Sequence, residues 1–475
     1  MMFLAQNTDQ QGGAIVDLHS GHGLNASDLA VAVTNRAAAF AALGLGAGDT
    51  VALAHGGTPD FFVDLLALWE VGSCVACLNQ SLTEAELETV TAFLKPALVI
   101  RDPKEKLPKG RHGGGRSGAQ RLDDPALILF TSGTTGDPKG VVHSFRSLAA
   151  RLTLNRQAIG DDTLQNSLCL LPTHFGHGLI GNGLTPLAAG GTLYLYQGIG
   201  PQTAAGLGQA ISDNHIGFLS SVPSLWKLAL RASKPPKAET LKRVHIGSAP
   251  LSADLWTSVQ TWAGTSHVIN AYGITETCNW IGGANAATHT PEDGLVGEVW
   301  GGEAAVLDAE GNLSRAGEGE IVVLTASLMN GYLNRPDLTD AAFHKGWFRT
   351  GDIGSVGTDG IIRLSGRAKD EINRAGIKIQ PAEIDMLLER HPDVVEACAF
   401  AWPDPIAGEV VGIALVAAEG ASLSRAVLGD WCAKRIKKES IPEKWFTLPA
   451  IPRTDRGKIR RDMVRDAAKA EGIKL

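Results

Sequence analysis

Cysteine is scarce in this chain, with 6 residues among 475. So few thiols in so long a sequence make no disulfide framework. Cys74 and Cys77 do form a CxxC, but no second pair and no histidine pair stands at ligand spacing. "GSCVACLN" therefore reads as a buried strand rather than a metal or redox site. Blocks of like charge are missing as well. With 43 basic and 50 acidic residues the net charge is −7, and nothing resembles a tail for DNA or RNA. The start, "MMFLAQNTDQ", has too short an apolar run and no basic region for a secretory leader. These absences point to a soluble cytoplasmic protein with no nucleic-acid partner.

Charge disappears altogether over fifty residues, from Thr163 to Ser212, where there is no Asp, Glu, Lys or Arg. A membrane span is excluded because Pro172, Pro186, Pro201 and many glycines interrupt the run, and no 18-residue window is solidly apolar. The stretch reads as protein interior lining an apolar pocket.

Glycine, in contrast, is plentiful at 56 residues beside 22 prolines. Glycine is thus about 12% of the chain against roughly 7% in ordinary soluble proteins. The two together fall short of the roughly 25–30% of low-complexity chains, and no G-X-Y period exists, so collagen is excluded. At roughly 150 residues per domain, the length predicts two to four domains.

Along the chain, Ser27 is expected to cap a helix running to about Leu43. "TVALA" from Thr50 predicts a strand, Thr58 and Pro59 open a second helix, and "CVACL", "LTEAELETVTAFL" and "ALVI" continue as strand, helix and strand. This alternation implies a parallel sheet with crossover helices. Residues 102–124 are polar and Gly-rich and read as an exposed loop. After Gly360 short strands surround helices near Pro381–Arg390 and Leu423–Arg435, a compact α+β unit of its own. The fold class is α/β: a large N-terminal domain of parallel βαβ sheets, 1–367, plus a small mobile α+β domain, 368–475. No internal repeat is visible.

Leu127 to Gly140, "LILFTSGTTGDPKG", carries the strongest chemistry. An apolar strand runs into Thr131, Ser132, Gly133, Thr134, Thr135 and Gly136, where small and hydroxyl residues leave backbone N–H groups free to curl around an anion. Lys139 adds a point charge. The run suits a triphosphate but is not G-x-x-x-x-G-K-[ST], because Pro138 stands where the second glycine belongs. A dinucleotide fold is set aside, since no G-x-G-x-x-G follows the first strand.

"TSGTTGDPKG" resembles the phosphate loop of the acyl-adenylate-forming superfamily of acyl-CoA synthetases, adenylation domains and beetle luciferases. The resemblance continues in order through "GSAPL" (Gly247–Leu251), "NAYGITET" (Asn270–Thr277), "GWFRTGDIG" (Gly346–Gly354), "GRAKDEINRAGIKIQPAEID" (Gly366–Asp385) and "PRTDRGKIRR" (Pro452–Arg461). It is weakest over the first 120 residues. The resemblance implies that a carboxylate attacks the α-phosphate of ATP, giving acyl-AMP and pyrophosphate, and that a thiol then displaces AMP. It places Thr131, Ser132, Gly133, Thr134, Thr135 and Lys139 at the β- and γ-phosphates. Gly247, Ser248, Ala249 and Pro250 would lie along adenine. Tyr272 would stack on the base with Asn270 at its edge, alongside Ala271 and Gly273. Thr275 would touch the α-phosphate and Glu276 would hold Mg²⁺, a hard ion that takes few carboxylates beside phosphate oxygens. Asp352 would take the ribose hydroxyls with help from Arg367. The alternative for that pair is a structural ion pair.

Lys458 is the expected catalytic residue, since a cation bridging α-phosphate and carboxylate oxygens stabilises the charge that builds as they approach. The resemblance also implies alternation of the small domain about a hinge at Lys369, with Gly376 clearing a pantetheine tunnel or serving as a plain turn. The acyl pocket is expected from Phe175, His177, Gly178, Val222, Thr277 and Cys278, with Trp280 and Asn279 nearby, although Trp280, Cys278, Asn279 and His177 equally suit core packing. Gly176, Gly178, Gly181 and Gly183 would leave room for the acyl group. His174 and His177 lack a third metal ligand. No aspartate occurs between Asp162 and Asp213 to pair an ammonium, which disfavours an α-amino acid. The reading is an AMP-forming ligase of an apolar acyl or aryl acid using ATP, Mg²⁺ and CoA. The alternatives are transfer to a carrier-protein pantetheine or an amine, and, remotely, a non-catalytic nucleotide sensor.

Overall fold

Capping residues start the first helices. Asn25, not Ser27, caps Ala26–Ala42, because its side chain accepts from the Asp28 N–H. Thr58 caps Pro59–Glu70, with proline at the first position where no N–H is needed. Thr83 and Glu86 close a reciprocal capping box on Glu84–Leu94. Each such cap is worth about 1 kcal/mol.

The computed structural model describes residues 13–104, 107, 122–131, 139–196, 198, 200–375, 377–454 and 459–475. Most of the expected loop at 102–124 thus lies outside the described residues. The chain divides into two compact units. One comprises Met1–Pro291, Val296–Glu303 and Val323–Phe348; the other comprises Glu292–Leu295, Ala304–Val322 and Arg349–Leu475.

In the first unit, the early βαβαβ alternation forms the expected parallel strands. Thr50–Leu53 lies between Cys74–Cys77 and Leu98–Ile100. Pro125–Thr131 joins Cys74–Cys77 in parallel, and Lys139–Ser144 returns antiparallel beside it. Gly331–Tyr332 pairs onto the far side of Lys139–Ser144. A second set of strands runs parallel in the order Ala14–Asp17, Thr192–Leu195, Asn166–Cys169, Phe218–Ser221, Arg243–Gly247 and Val268–Ile274. The antiparallel Asn279–Asn285 follows. One core joins both sheets: Val51, Val75, Leu127 and Leu129 share it with Ile15, Leu193 and Leu195 and with the helices Ala26–Ala42, Pro59–Glu70 and Phe145–Ile159. Cys74 and Cys77 are fully interior, and burial pushes the Cys74 thiol up to about 12, as a structural cysteine requires.

The uncharged stretch is mostly interior over 167–195, whereas Gln165, Pro201, Gln202, Ala205 and Gln209 toward its ends are exposed, and it contains a π-helix, His177–Leu184. Such wide turns are rare and concentrate at functional sites. Its glycines do not leave the expected acyl space. A side chain at Gly178 would meet the Pro172 carbonyl at 2.0 Å; at Gly181 the Trp280 ring at 2.7 Å; at Gly183 the Phe62 ring at 3.0 Å. These glycines let backbone and aromatic rings approach. Of the four, Gly176 alone meets ordinary contacts, from 3.6 Å outward.

The second unit is α+β. Val394–Asp404 and Gly408–Ala417 form a long antiparallel pair, with Lys444–Thr447 parallel to the latter. Alternation along these strands separates two cores. Ala397, Ala399, Val411 and Ile413 face one, with the helices Pro381–Glu389 and Arg425–Ala433. Cys398, Phe400 and Ala414 face the other, with Arg461–Ala470. Among the described residues no helix is long and apolar enough to cross a membrane.

Candidate functional site

The first unit brings several of the expected residues together. Strand Val268–Ile274 carries Asn270, Ala271, Tyr272 and Gly273 and ends in a single 3-10 turn, Thr275–Thr277. Asn270, Ala271 and Tyr272 are buried. Gly273 sits beside a bulge, where a side chain would strike the Asn279 carbonyl at 2.2 Å. After the turn, Cys278 takes a left-handed conformation (φ 64°) and Asn279 lies at φ 139°. Ser248, in the "GSAP" segment, is also left-handed at φ 67°. Each costs of order 1–3 kcal/mol and persists because surrounding bonds dictate it.

Glu276 does not stand alone. The Tyr332 hydroxyl donates to its Oε1 across 2.8 Å, and the Lys139 Nζ sits 3.7 Å from the centre of the Tyr332 ring. Strand geometry explains the meeting. Tyr332 lies opposite Val141, and Lys139 lies two residues before Val141, so all three point to one face of the sheet. Burial, and then the Glu276 charge, raise the tyrosine's pKa, so the hydroxyl stays a donor. This arrangement places one carboxylate at the hydroxyl of a tyrosine and one ammonium over its ring face. A single carboxylate suits Mg²⁺, because nucleotide phosphates supply the remaining oxygens. No cluster of three metal-ligating side chains occurs among the described residues.

A second group gathers around His177. Its Nδ1 lies 2.8 Å from Ser248 Oγ and its Nε2 lies 2.6 Å from Ser220 Oγ. A neutral imidazole has one donor and one acceptor nitrogen, so one serine donates to the ring and the other accepts from it. Asn182 donates to the Ser220 carbonyl at 2.9 Å. The ring packs edge-on against Trp280 at 5.3 Å, and Trp280 against His245 at 4.7 Å. Burial, then the charge of Arg243 and then His177, keep the His245 pKa well below its ordinary 6.5. Phe175 and Val222 are buried beside these segments in sequence, Val222 directly ahead of helix Pro223–Ala232. Pro250 and Ala249 are exposed.

Thr277 and Cys278 look inward. The Thr277 hydroxyl donates within its own turn, to the carbonyls of Ile274 and Asn279 at 3.0 Å each. The Cys278 sulfur lies 3.0 Å from His143 Nδ1 and is completely buried, with its pKa pushed up to about 12 by burial. Burial likewise holds the His143 imidazole at about 4. Behind the turn lies Arg151, fully buried, donating to Ser327 Oγ at 2.6 Å and 3.1 Å. Burial lowers its pKa only to about 10, so it remains a cation. Tyr332, His143, Arg151 and Ser327 are the contributors that sequence reasoning missed.

In the second unit, Asp352 and Arg367 are cross-strand partners in Trp347–Val356 and Ile362–Arg367, joined at 2.7 Å. Asp352 is buried and Arg367 exposed. The ion pair weighed from sequence is therefore present, and it leaves the guanidinium at the surface. Lys369 is exposed within the short 3-10 segment Ala368–Asp370. Ser132, Gly133, Thr134, Thr135, Gly376 and Lys458 lie outside the described residues, and of Thr131 only the strand end is described.

Comparison with known proteins sets these motifs in a family. Residues 4–119 and 115–333 match the AMP-binding enzyme model, and residues 383–458 match the AMP-binding enzyme C-terminal domain. A probable CoA ligase of Humulus lupulus, CCL9, is 30% identical over 91% of this chain and 89% of its own length. A 4-chlorobenzoate–CoA ligase of Arthrobacter sp is 29% identical over 98% of this chain and 94% of its own. The crystal structure of ATP-bound MatB from Rhodopseudomonas palustris superposes with a TM-score of 0.87 at 25% identity, covering 98% of both chains. The ordered motifs, both domain matches and the full-length likeness agree, and the chain belongs to the AMP-binding enzyme family, within the acyl-adenylate-forming superfamily.

Proposed function

We propose that this chain is an AMP-forming acid–CoA ligase. A carboxylate oxygen attacks the α-phosphorus of ATP and pyrophosphate leaves, giving acyl-AMP. The sulfur of CoA then attacks the acyl carbon, AMP leaves, and the thiol proton passes to solvent. The observation that carries this reading is the Glu276–Tyr332–Lys139 assembly in a chain whose relatives are named CoA ligases. Glu276 would hold Mg²⁺, which neutralises phosphate charge as it develops. Lys139 with the Thr131–Thr135 run would bind the β- and γ-phosphates, and Thr275 the α-phosphate. Tyr272 and Asn270 with Gly247–Pro250 would hold adenine, and Asp352 with Arg367 the ribose. Lys458 would bridge the reacting oxygens, and turning about Lys369 would admit the thiol past Gly376.

For the acid we propose a compact one, aryl or short acyl. Supporting this, Trp280 and Phe62 stand close against Gly181 and Gly183, so these glycines would give little room to a long chain. His177, braced by two serines, would meet the acyl group together with Phe175, Gly178 and Val222. The test is pyrophosphate release from Mg·ATP with a panel of carboxylic acids, with hydroxylamine as a surrogate acceptor and then with and without CoA. Acyl-CoA formed from an aryl or short acyl acid supports the reading. Acyl-AMP that passes only to an amine or a carrier protein replaces CoA as the acceptor. No pyrophosphate with any acid overturns the proposal.

A further inference from the structure

Three successive backbone carbonyls of the Thr275–Thr277 turn are each held by a donor from a distant part of the first unit. His143 Nε2 reaches the Thr275 carbonyl at 2.9 Å, the Met329 N–H reaches that of Glu276 at 2.8 Å, and the Ser327 hydroxyl reaches that of Thr277 at 3.0 Å. Ser327 is oriented in turn by Arg151, since the guanidinium fills the acceptor side of its oxygen and leaves the proton for Thr277.

The chemistry at His143 fixes its own tautomer. A carbonyl only accepts, so Nε2 carries the proton, and Nδ1 is left as an acceptor facing the Cys278 thiol at 3.0 Å. Ser147 Oγ lies 3.8 Å from the same sulfur. Cys278 thus locks the ring from behind, and its left-handed backbone turns the thiol inward to do so. Strand periodicity adds a second link. Lys139 and His143 are four residues apart on Lys139–Ser144, so they share a face, with Val141 between them opposite Tyr332. One short strand therefore carries the lysine at one end and the anchor of the Thr275–Glu276 turn at the other.

We infer that His143, locked by Cys278, is a positioning residue that fixes the Thr275–Glu276 backbone relative to Lys139, so that the carboxylate and the ammonium meet one Mg·ATP. This rests on the function proposed above and adds residues outside the motifs that suggested it. Losing the bond leaves the Thr275 carbonyl with only the Cys278 N–H of its own turn at 3.1 Å, so the backbone beside the carboxylate-bearing residue loses its tie to the Lys139–Ser144 strand.

The test uses the full chain with no acid present, so that ATP is bound and not consumed. ATP is titrated by calorimetry, once with excess Mg²⁺ and once with EDTA. The unaltered protein is expected to bind more tightly with Mg²⁺. His143→Leu is expected to weaken Mg·ATP binding about 10-fold. The EDTA titration should move much less. His143→Gln, whose amide N–H can still reach the Thr275 carbonyl, should stay within about 3-fold, and Cys278→Ala should fall between the two. A Mg²⁺-dependent gain that survives His143→Leu overturns the inference. So does equal loss in His143→Gln and His143→Leu, which marks packing alone. Should His143→Leu fail to fold, His143→Asn replaces it, its amide being too short for Thr275, and unchanged binding there overturns the inference equally. If the unaltered protein binds no ATP with or without Mg²⁺, the proposed function itself falls.

Discussion

The Tyr332 hydroxyl donates to Glu276 Oε1 across 2.8 Å, and the same ring receives the Lys139 ammonium on its face. The two contacts differ in what they need. The first needs only the phenolic proton, the second only the ring.

Tyr332→Phe is therefore expected to keep the Lys139 contact and release Glu276. A lost hydrogen bond to a charged group is worth about 1.5–3 kcal/mol. The KM for Mg·ATP should rise about 10-fold or more in pyrophosphate-release assays, with Tyr332→Leu worse because the cation also loses its platform. Unchanged kinetics in Tyr332→Phe would show that the bond does not bear on nucleotide binding.

On the proposed mechanism, Lys458 and Lys369 are expected to divide the two half-reactions between them. Lys458→Ala should lower acyl-AMP formation on the order of 10²–10³-fold, as for loss of one preorganised electrostatic donor. It should spare thioester formation from supplied acyl-AMP. Lys369→Pro should do the reverse, because proline fixes φ where turning is required. Equal loss of both steps in the first variant, or an unaffected second step in the other, counts against this division.

On the proposal that His177 meets the acid, Ser220 and Ser248 act on it through that ring. Ser220→Ala and Ser248→Ala should each raise the KM for the acid about 5-fold; Ser220→Ala should leave that for ATP near its starting value, while Ser248→Ala, at a residue proposed to lie along adenine, should raise it as well. Because both act through one ring, the double variant should fall well short of the product of the two effects. Strict additivity would mean that each serine touches the acid independently.

His245 links stability to pH. Its folded pKa lies well below the unfolded value near 6.5, chiefly through burial, with Arg243 and His177 adding to the shift. Above 6.5 both states are neutral and the full stability is present. As pH falls through 6.5 toward the folded pKa, the unfolded chain takes up the proton first and stability is lost. Thermal unfolding from pH 7.5 to 5.0 should show this decline, and it should be shallower in His245→Gln, which keeps an acceptor for the Arg243 Nε at 2.9 Å. Identical slopes would assign the decline to other groups.

Much of the fold was legible because its punctuation is local. Thr58 with Pro59 and Thr83 with Glu86 announce their helices within four residues, and the βαβαβ alternation follows. Asn25 took the cap expected of Ser27 because two competent side chains stand in one short segment, and only three-dimensional reach decides between them. The nucleotide motifs were legible for a similar reason, since each concentrates its residues in a few positions. Their supports were not. Tyr332 stands 56 residues from Glu276 and His143 132 residues from Thr275, and no local pattern ties either to its partner. The glycines of the π-helix misled because a missing side chain looks like room until the neighbour that fills it is known, and Trp280 lies far along the chain.

Gly181 and Trp280 also bear on how this protein can change. A side chain at 181 meets the Asn279 amide at 2.3 Å and the indole at 2.7 Å, and a smaller residue at 280 alone abandons a buried ring and opens a void. A side chain at 181 thus needs changes at both 279 and 280. A lineage seeking a different acid cannot walk there through either site singly without first losing stability. It must exchange all three, or acquire stability elsewhere beforehand, so, with the π-helix beside the acid as proposed, acid preference should drift rarely and in jumps.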